Sequence, residues 1–132
     1  MSEGSPDERF ISQIGVAMAV ERLLRAGFYV AVPIVDDGYD LLACDARRCW
    51  RIQVKASSSR GRNKSRIRIG RGSAKSQRYD PRHVDAFVLC NIRTGVVLCV
   101  PVAATNGGRW MSWHAADKWS DMAVLRSIPR MK

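Results

Sequence analysis

A chain of 132 residues suits one domain with a substantial core and is short for two. Hydrophobic content of 46% and charged content of 26% exclude wholesale disorder, and no run reaches the roughly 18 apolar residues of a membrane span. Twenty-two Lys and Arg against twelve Asp and Glu leave a net charge of +10, which suits a polyanionic partner without choosing among DNA, RNA and anionic lipid.

The polar, acidic start Met1–Glu8 is wrong for a secretory signal, so the chain reads as soluble and intracellular. Ser5-Pro6-Asp7-Glu8 has the pattern of a capping box with proline at the first helical position. A helix is predicted from there to Ala26, stopped by Gly27. Phe10, Ile14, Ala17, Glu21 and Leu24 repeat at 4-3-4-3 spacing and predict its inward stripe. Glu21 would then interrupt an apolar face, where an unpaired carboxylate is costly. Two readings stay open: a metal ligand reaching towards the sheet, or an ion-pair partner for Arg25 one turn on.

Residues 28–33 alternate as a short strand, and Asp36-Asp37-Gly38 makes a turn. Two strand-like runs fill 39–55, joined by Asp45-Ala46-Arg47-Arg48. Residues 56–80 read as a long loop with a short strand near Arg66–Ile69. Two further strands, 84–90 and 96–101, flank Thr94-Gly95. In the Trp-rich tail, Ala115–Arg126 is predicted helical, and Trp110, Trp113 and Trp119 are assigned to packing before base stacking. Cys44, Cys49, Cys90 and Cys99 lack zinc-knuckle spacing and are expected as small buried hydrophobes. His83 and His114 have no partners at ligand spacing, and Asp85 is read as a turn or hydrogen-bonding residue. A helix followed by strands points to an α/β (α+β) domain packed on one sheet.

The run at 39–55 carries the chemistry. With the hairpin turn centred between Ala46 and Arg47, Asp40 opposes Gln53, Leu42 opposes Arg51, and Cys44 opposes Cys49. Lys55 lies two residues beyond Gln53 and shares its face, while Ile52 and Val54 point towards the core. An acid, an amide oxygen and an amine gather at one end of the hairpin. Such a cluster can hold a hard cation and stabilise charge at a phosphodiester. The plainer alternative is that Asp40 caps a turn while Gln53 and Lys55 are ordinary strand residues.

The segment GFYVAVPIVDDGYDLLACDARRCWRIQVKAS resembles the core of the PD-(D/E)XK nucleases, above all the group I intron-associated homing endonucleases that read YDL…QVK. Archaeal Holliday junction resolvases share that core, and YDPRHVDAFVLCNIRTGVVLCVPV is similar to the segment that follows. The resemblance covers about 75 residues, Gly27 to Val102. It implies a single restriction-endonuclease-like domain over residues 1–132, with a mixed sheet flanked by helices. It also implies dependence on Mg²⁺ or Mn²⁺, and a dimer or tetramer cutting double-stranded or branched DNA in the cytoplasm of a prokaryotic cell or from a phage. By position, Asp40 matches the metal-binding Asp, Gln53 the variable acid-or-amide ligand and Lys55 the catalytic Lys. The helix Glu usual in the family falls nearer the helix start, where this chain reads Gly15-Val16-Ala17-Met18-Ala19, so Glu21 is the substitute.

From Arg51 to Arg82 there are eleven basic residues and one acid, Asp80. Arg60, Arg62, Lys64, Arg66, Arg68, Arg71 and Lys75 are therefore expected to clamp a nucleic-acid backbone. The expected function is a Mg²⁺-dependent endodeoxyribonuclease, site- or structure-specific. The alternative is a DNA-binding protein on the same fold that has lost cutting, and an RNA-binding or regulatory domain is a third reading.

Overall fold

The computed structural model describes residues 8–35, 37–58, 66–69, 83–105, 108, 110–113 and 117–129. Helix α1 spans Glu8–Arg25, and among the described residues seven strands follow in chain order. These are β1 (Tyr29–Ala31), β2 (Leu41–Cys44), β3 (Cys49–Ser57), β4 (Arg66–Arg68), β5 (Ala86–Asn91), β6 (Val97–Pro101) and β7 (Trp110–Ser112). Five of them form one sheet in the order β1-β2-β3-β5-β6, and β4 pairs with β7 in a second, two-stranded sheet. Among the described strands of this sheet, β3 and β5 are paired in parallel, and β1–β2, β2–β3 and β5–β6 are antiparallel. The result is a mixed sheet with a helix on one face, as the sequence implied.

α1 ends as predicted. Gly27 takes φ +91°, and the N–H of Phe28 donates to the Leu23 carbonyl at 3.1 Å, closing a Schellman turn. The proposed helix start lies outside the described residues.

The buried stripe is Gly15, Ala19 and Leu23, out of phase with the predicted one. Phe10 and Leu24 are each 55% exposed, and Ala17 and Glu21 lie on the same outer side. The physical reason is close approach. A Cβ built on Gly15 would lie 2.5 Å from the Cβ of Ala56, so helix and β3 touch only because both residues are small. The spacing rule followed Phe10 and Leu24, whereas the sheet took the small Gly15 and Ala19 together with Leu23.

Two cores sandwich the sheet. On the α1 side, Ala19, Leu23 and Phe28 pack with Leu41, Ala43, Trp50, Ile52, Val54, Val88 and Cys90. On the other side, Ile67, Ile69, Val84, Phe87, Leu89, Leu98 and Val100 form a second cluster, against which Tyr39, Trp113 and Trp119 pack. All six β5 residues are buried, as expected for a strand covered on both faces. Trp113 and Trp119 thus serve packing, and Trp110's side chain lies outside the described residues.

Two further expectations change. The tail forms short 3₁₀ helices, Asp117–Trp119 and Met122–Ser127, in place of one α-helix. Asp121 breaks the run by taking an extended backbone and capping Ala123 N–H with its carboxylate. Cys44 and Cys49, expected as reduced core residues, form a disulfide across the β2–β3 hairpin. Opposed positions on adjacent strands bring the two Cα atoms to 4.0 Å. Cys90 and Cys99 are the buried free thiols that were expected.

Candidate functional site

The hairpin register agrees with the sequence reading: Leu41 pairs with Ile52, Leu42 with Arg51, Ala43 with Trp50 and Cys44 with Cys49. In β3, Trp50, Ile52 and Val54 are buried, while Arg51, Gln53 and Lys55 are half-buried on the opposite face. There they neighbour Phe87 and Leu89 of β5, which pair with Gln53 and Lys55. The polar face of β3 therefore borders the second core.

Asp40 lies just past the end of the regular ladder. Its N–H donates to the Ile52 carbonyl at 2.8 Å, although Ile52 is the partner of Leu41, so the chain bulges there. Its carboxylate Oδ2 accepts the N–H of Val54 at 2.8 Å. Direct opposition to Gln53 was the sequence expectation. The structure instead fixes the Asp40 carboxylate on the backbone between Gln53 and Lys55, within one residue of each along β3. A carboxylate-to-backbone hydrogen bond thus holds Asp40 at the stretch of β3 where strand alternation puts Gln53 and Lys55 on one face.

A second aspartate closes the other edge of β3. Asp85 Oδ2 accepts the N–H of Arg51 at 2.7 Å, and the Asp85 N–H donates to the Arg51 carbonyl at 2.9 Å. The Arg51 guanidinium grips the same carboxylate with two contacts, Nε to Oδ2 at 3.1 Å and one terminal nitrogen to Oδ1 at 3.2 Å. Asp85 is 8% exposed, so this charge is buried and satisfied by three hydrogen bonds. The hydrogen-bonding role read for Asp85 holds. Its partner Arg51 was missed, although the signal was present: Arg51 shares the polar face with Gln53 and Lys55.

Glu21 is on the outer side of α1. Arg25 bonds its carboxylate and Arg22 sits 3.3 Å away, and these contacts, the Arg25 hydrogen bond first, hold the carboxyl below its ordinary value. Of the two readings for Glu21, the structure displays the ion pair. Arg60, Arg62, Lys64, Arg71 and Lys75 lie outside the described residues, while Arg66 and Arg68 belong to β4, whose Ile67 is buried in the second core.

Among the described residues no three His, Cys, Asp or Glu converge as a ready-made metal cage. The donors near Val54 are one carboxylate and one amide, with a lysine alongside. Hard oxygen donors of this kind suit a small divalent cation that retains several waters. No helix among the described residues is long and apolar enough to cross a membrane.

Two solved structures share this architecture. The bacterial homing endonuclease I-Ssp6803I matches with a TM-score of 0.62 and 19% identity, over 81% of this chain and 75% of that one. Hjc, a Holliday junction resolvase from the hyperthermophilic archaeon Archaeoglobus fulgidus, matches with a TM-score of 0.60 and 13% identity, over 91% of this chain and 98% of that one. At these identities the likeness speaks to fold alone. No curated protein matches the chain. The family model of the PD-(D/E)XK endonucleases matches residues 7–117, which include the whole five-stranded sheet and Asp40, Gln53 and Lys55. The chain belongs to the PD-(D/E)XK endonuclease family.

Proposed function

We propose that this protein is a metal-dependent endodeoxyribonuclease whose reacting centre is Asp40, Gln53 and Lys55. Its substrate is double-stranded or branched DNA, recognised by site or by structure. The observation that supports this most is the Asp40 carboxylate seated on Val54 N–H. In a chain of a nuclease family, that contact supports a site in which the Asp40 carboxylate works with the neighbouring Gln53 and Lys55 at one end of β3.

Asp40 and Gln53 would hold Mg²⁺ or Mn²⁺ through their side-chain oxygens. When bound, such a cation supplies Lewis-acid polarisation of the phosphate and acidifies water. Asp40 is held in orientation because a backbone N–H already occupies one of its oxygens. The ammonium of Lys55 offsets negative charge that develops as a water oxygen bonds to phosphorus and the P–O bond to the leaving strand breaks. The second core under Gln53 and Lys55, built on Phe87 and Leu89, holds that end of β3 rigid.

A second reading, DNA binding without cutting, is favoured by one observation: Glu21 is engaged with Arg25 and Arg22 on the outer side of α1. Two strands of a duplex require two centres, so we further propose a homo-oligomer. Support comes from the edge strand β1 and the residues after it, where Tyr29, Val32, Ile34 and Val35 are between 68% and 102% exposed.

Nicking of a supercoiled plasmid in Mg²⁺ and in EDTA separates the two readings. The nuclease reading expects relaxed circles in Mg²⁺, none in EDTA, and a rate lowered about 10²- to 10³-fold by Lys55→Ala. Salt-sensitive binding without nicking in either buffer would establish the binding-only reading.

A further inference from the structure

The β2–β3 turn is fastened more firmly than a solvent loop requires. The Cys44–Cys49 disulfide crosses its base, and Asp45 N–H donates to the Arg48 carbonyl at 2.9 Å. The Asp45 carboxylate accepts the N–H groups of Arg47 at 2.8 Å and Arg48 at 3.0 Å. These bonds, the Arg47 one first, hold that carboxyl below its ordinary value. Arg126 closes the far side of Asp45 at 3.6 Å.

This turn borders a groove of about 550 Å³ lined by Asp45, Arg47, Arg48, Cys49, Arg51 and Asp85. The three arginines have different duties. Arg48 lies over the Trp50 ring at 4.8 Å and bonds the Ile128 and Pro129 carbonyls, so it ties the C-terminal segment to the hairpin. Arg51 is held in a fork by Asp85 and remains partly exposed, with 27% of its side chain accessible. Arg47 is exposed at the tip, on a backbone already fixed by Asp45. Arg51 also shares the face of β3 that carries Gln53 and Lys55. At about 3.3 Å per residue it lies roughly 13 Å from Lys55 along β3, within the span of one DNA strand crossing that face.

We propose that this groove is a second phosphate-backbone subsite, in which Arg47 and Arg51 hold a DNA strand to one side of the scissile phosphate. The inference rests on the reading of the protein as acting on DNA, and it extends the contact surface away from residues 56–80 to the hairpin tip. Prefixed arginines are what a backbone contact gains from, because no ordering of the turn is left to oppose binding. Phosphate contacts of this kind fix the register of the duplex without reading its sequence.

The test is the salt dependence of binding to a duplex of about 30 base pairs in EDTA, where cutting plays no part. Each phosphate contact contributes about 0.9 to the slope of log K against log salt. Arg47→Ala is expected to flatten the slope by about that amount, and Arg47→Lys to restore it. Arg25→Gln removes a positive charge from α1, on the opposite face of the sheet, and is expected to leave the slope where it was. An unchanged slope in Arg47→Ala, an equal loss in Arg25→Gln, no duplex binding at all, or stronger binding to a single-stranded RNA of the same length would each overturn the subsite. If plasmid nicking fails while the Arg47 effect persists, the catalytic reading falls and the subsite stands. Nicking with no Arg47 effect removes the subsite alone.

Discussion

β3 outruns its neighbours at both ends, and an aspartate meets the exposed backbone each time. On the β2 side Asp40 caps Val54, and on the β5 side Asp85 caps Arg51. The two differ in surroundings: Asp85 is buried with a guanidinium on it, whereas Asp40 is half-buried beside Gln53 and Lys55. Arg51→Ala is therefore expected to leave Asp85 as an uncompensated buried charge and to lower stability by about 3 kcal/mol, read from urea unfolding. The replacement of both partners, Arg51→Met with Asp85→Leu, is expected to cost less than Arg51→Ala alone, because no charge is stranded. Gly15 offers a second residue-scale test. Gly15→Ala would drive a methyl into Ala56, and a loss of about 1–3 kcal/mol is expected from overpacking. Ala56→Gly in the same chain should recover part of it, whereas an unstrained helix would instead gain stability from the alanine.

Among the elements, the hairpin was the most legible. Alternation in CWRIQVK, together with the turn at Asp45–Arg48, fixes which residues oppose which, since a slip of one would bury Arg51 and Gln53 and expose Ile52. The bulge at Asp40 was not legible, because it depends on a side chain replacing a backbone acceptor. The helix face was misread for a related reason: burial at Gly15 and Ala19 is decided by the distance to β3, which no spacing rule contains. The disulfide was legible in register, since Cys44 opposite Cys49 follows from the same pairing, yet composition argued for thiols. Its small loop gives a modest effect, and Cys44→Ser with Cys49→Ser is expected to lower stability by about 2 kcal/mol in urea unfolding. A larger collapse would mean that the hairpin does not form without the bond.

At the scale of the molecule, the two faces of the sheet carry different side chains. α1 covers one side through the first core, and Gln53, Lys55 and Arg51 occupy the other beside the second. Cys90 and Cys99 lie within the sheet, and burial pushes both thiols up to about 12 from an ordinary 9.0. The folded chain keeps those protons to about pH 12, while the unfolded chain releases them near 9. Stability from the neutral thiols is therefore full below pH 9 and is lost as pH rises from 9 towards 12. At pH 8 a thiol reagent should find no reactive group in the native chain, two after denaturation and four after reduction as well. Four thiols without a reductant would remove the disulfide from the account.

The central claim is that Asp40 serves the chemistry and not only the turn, and Asp40→Asn addresses it most directly. The amide keeps an oxygen to accept the Val54 N–H but gives up the charge a divalent cation requires. In plasmid nicking with Mg²⁺, the variant is expected to fold with nearly the wild-type unfolding midpoint, bind duplex DNA, and cleave at least about 10²-fold more slowly. Cleavage at the wild-type rate in a folded Asp40→Asn protein would contradict the assignment of the site.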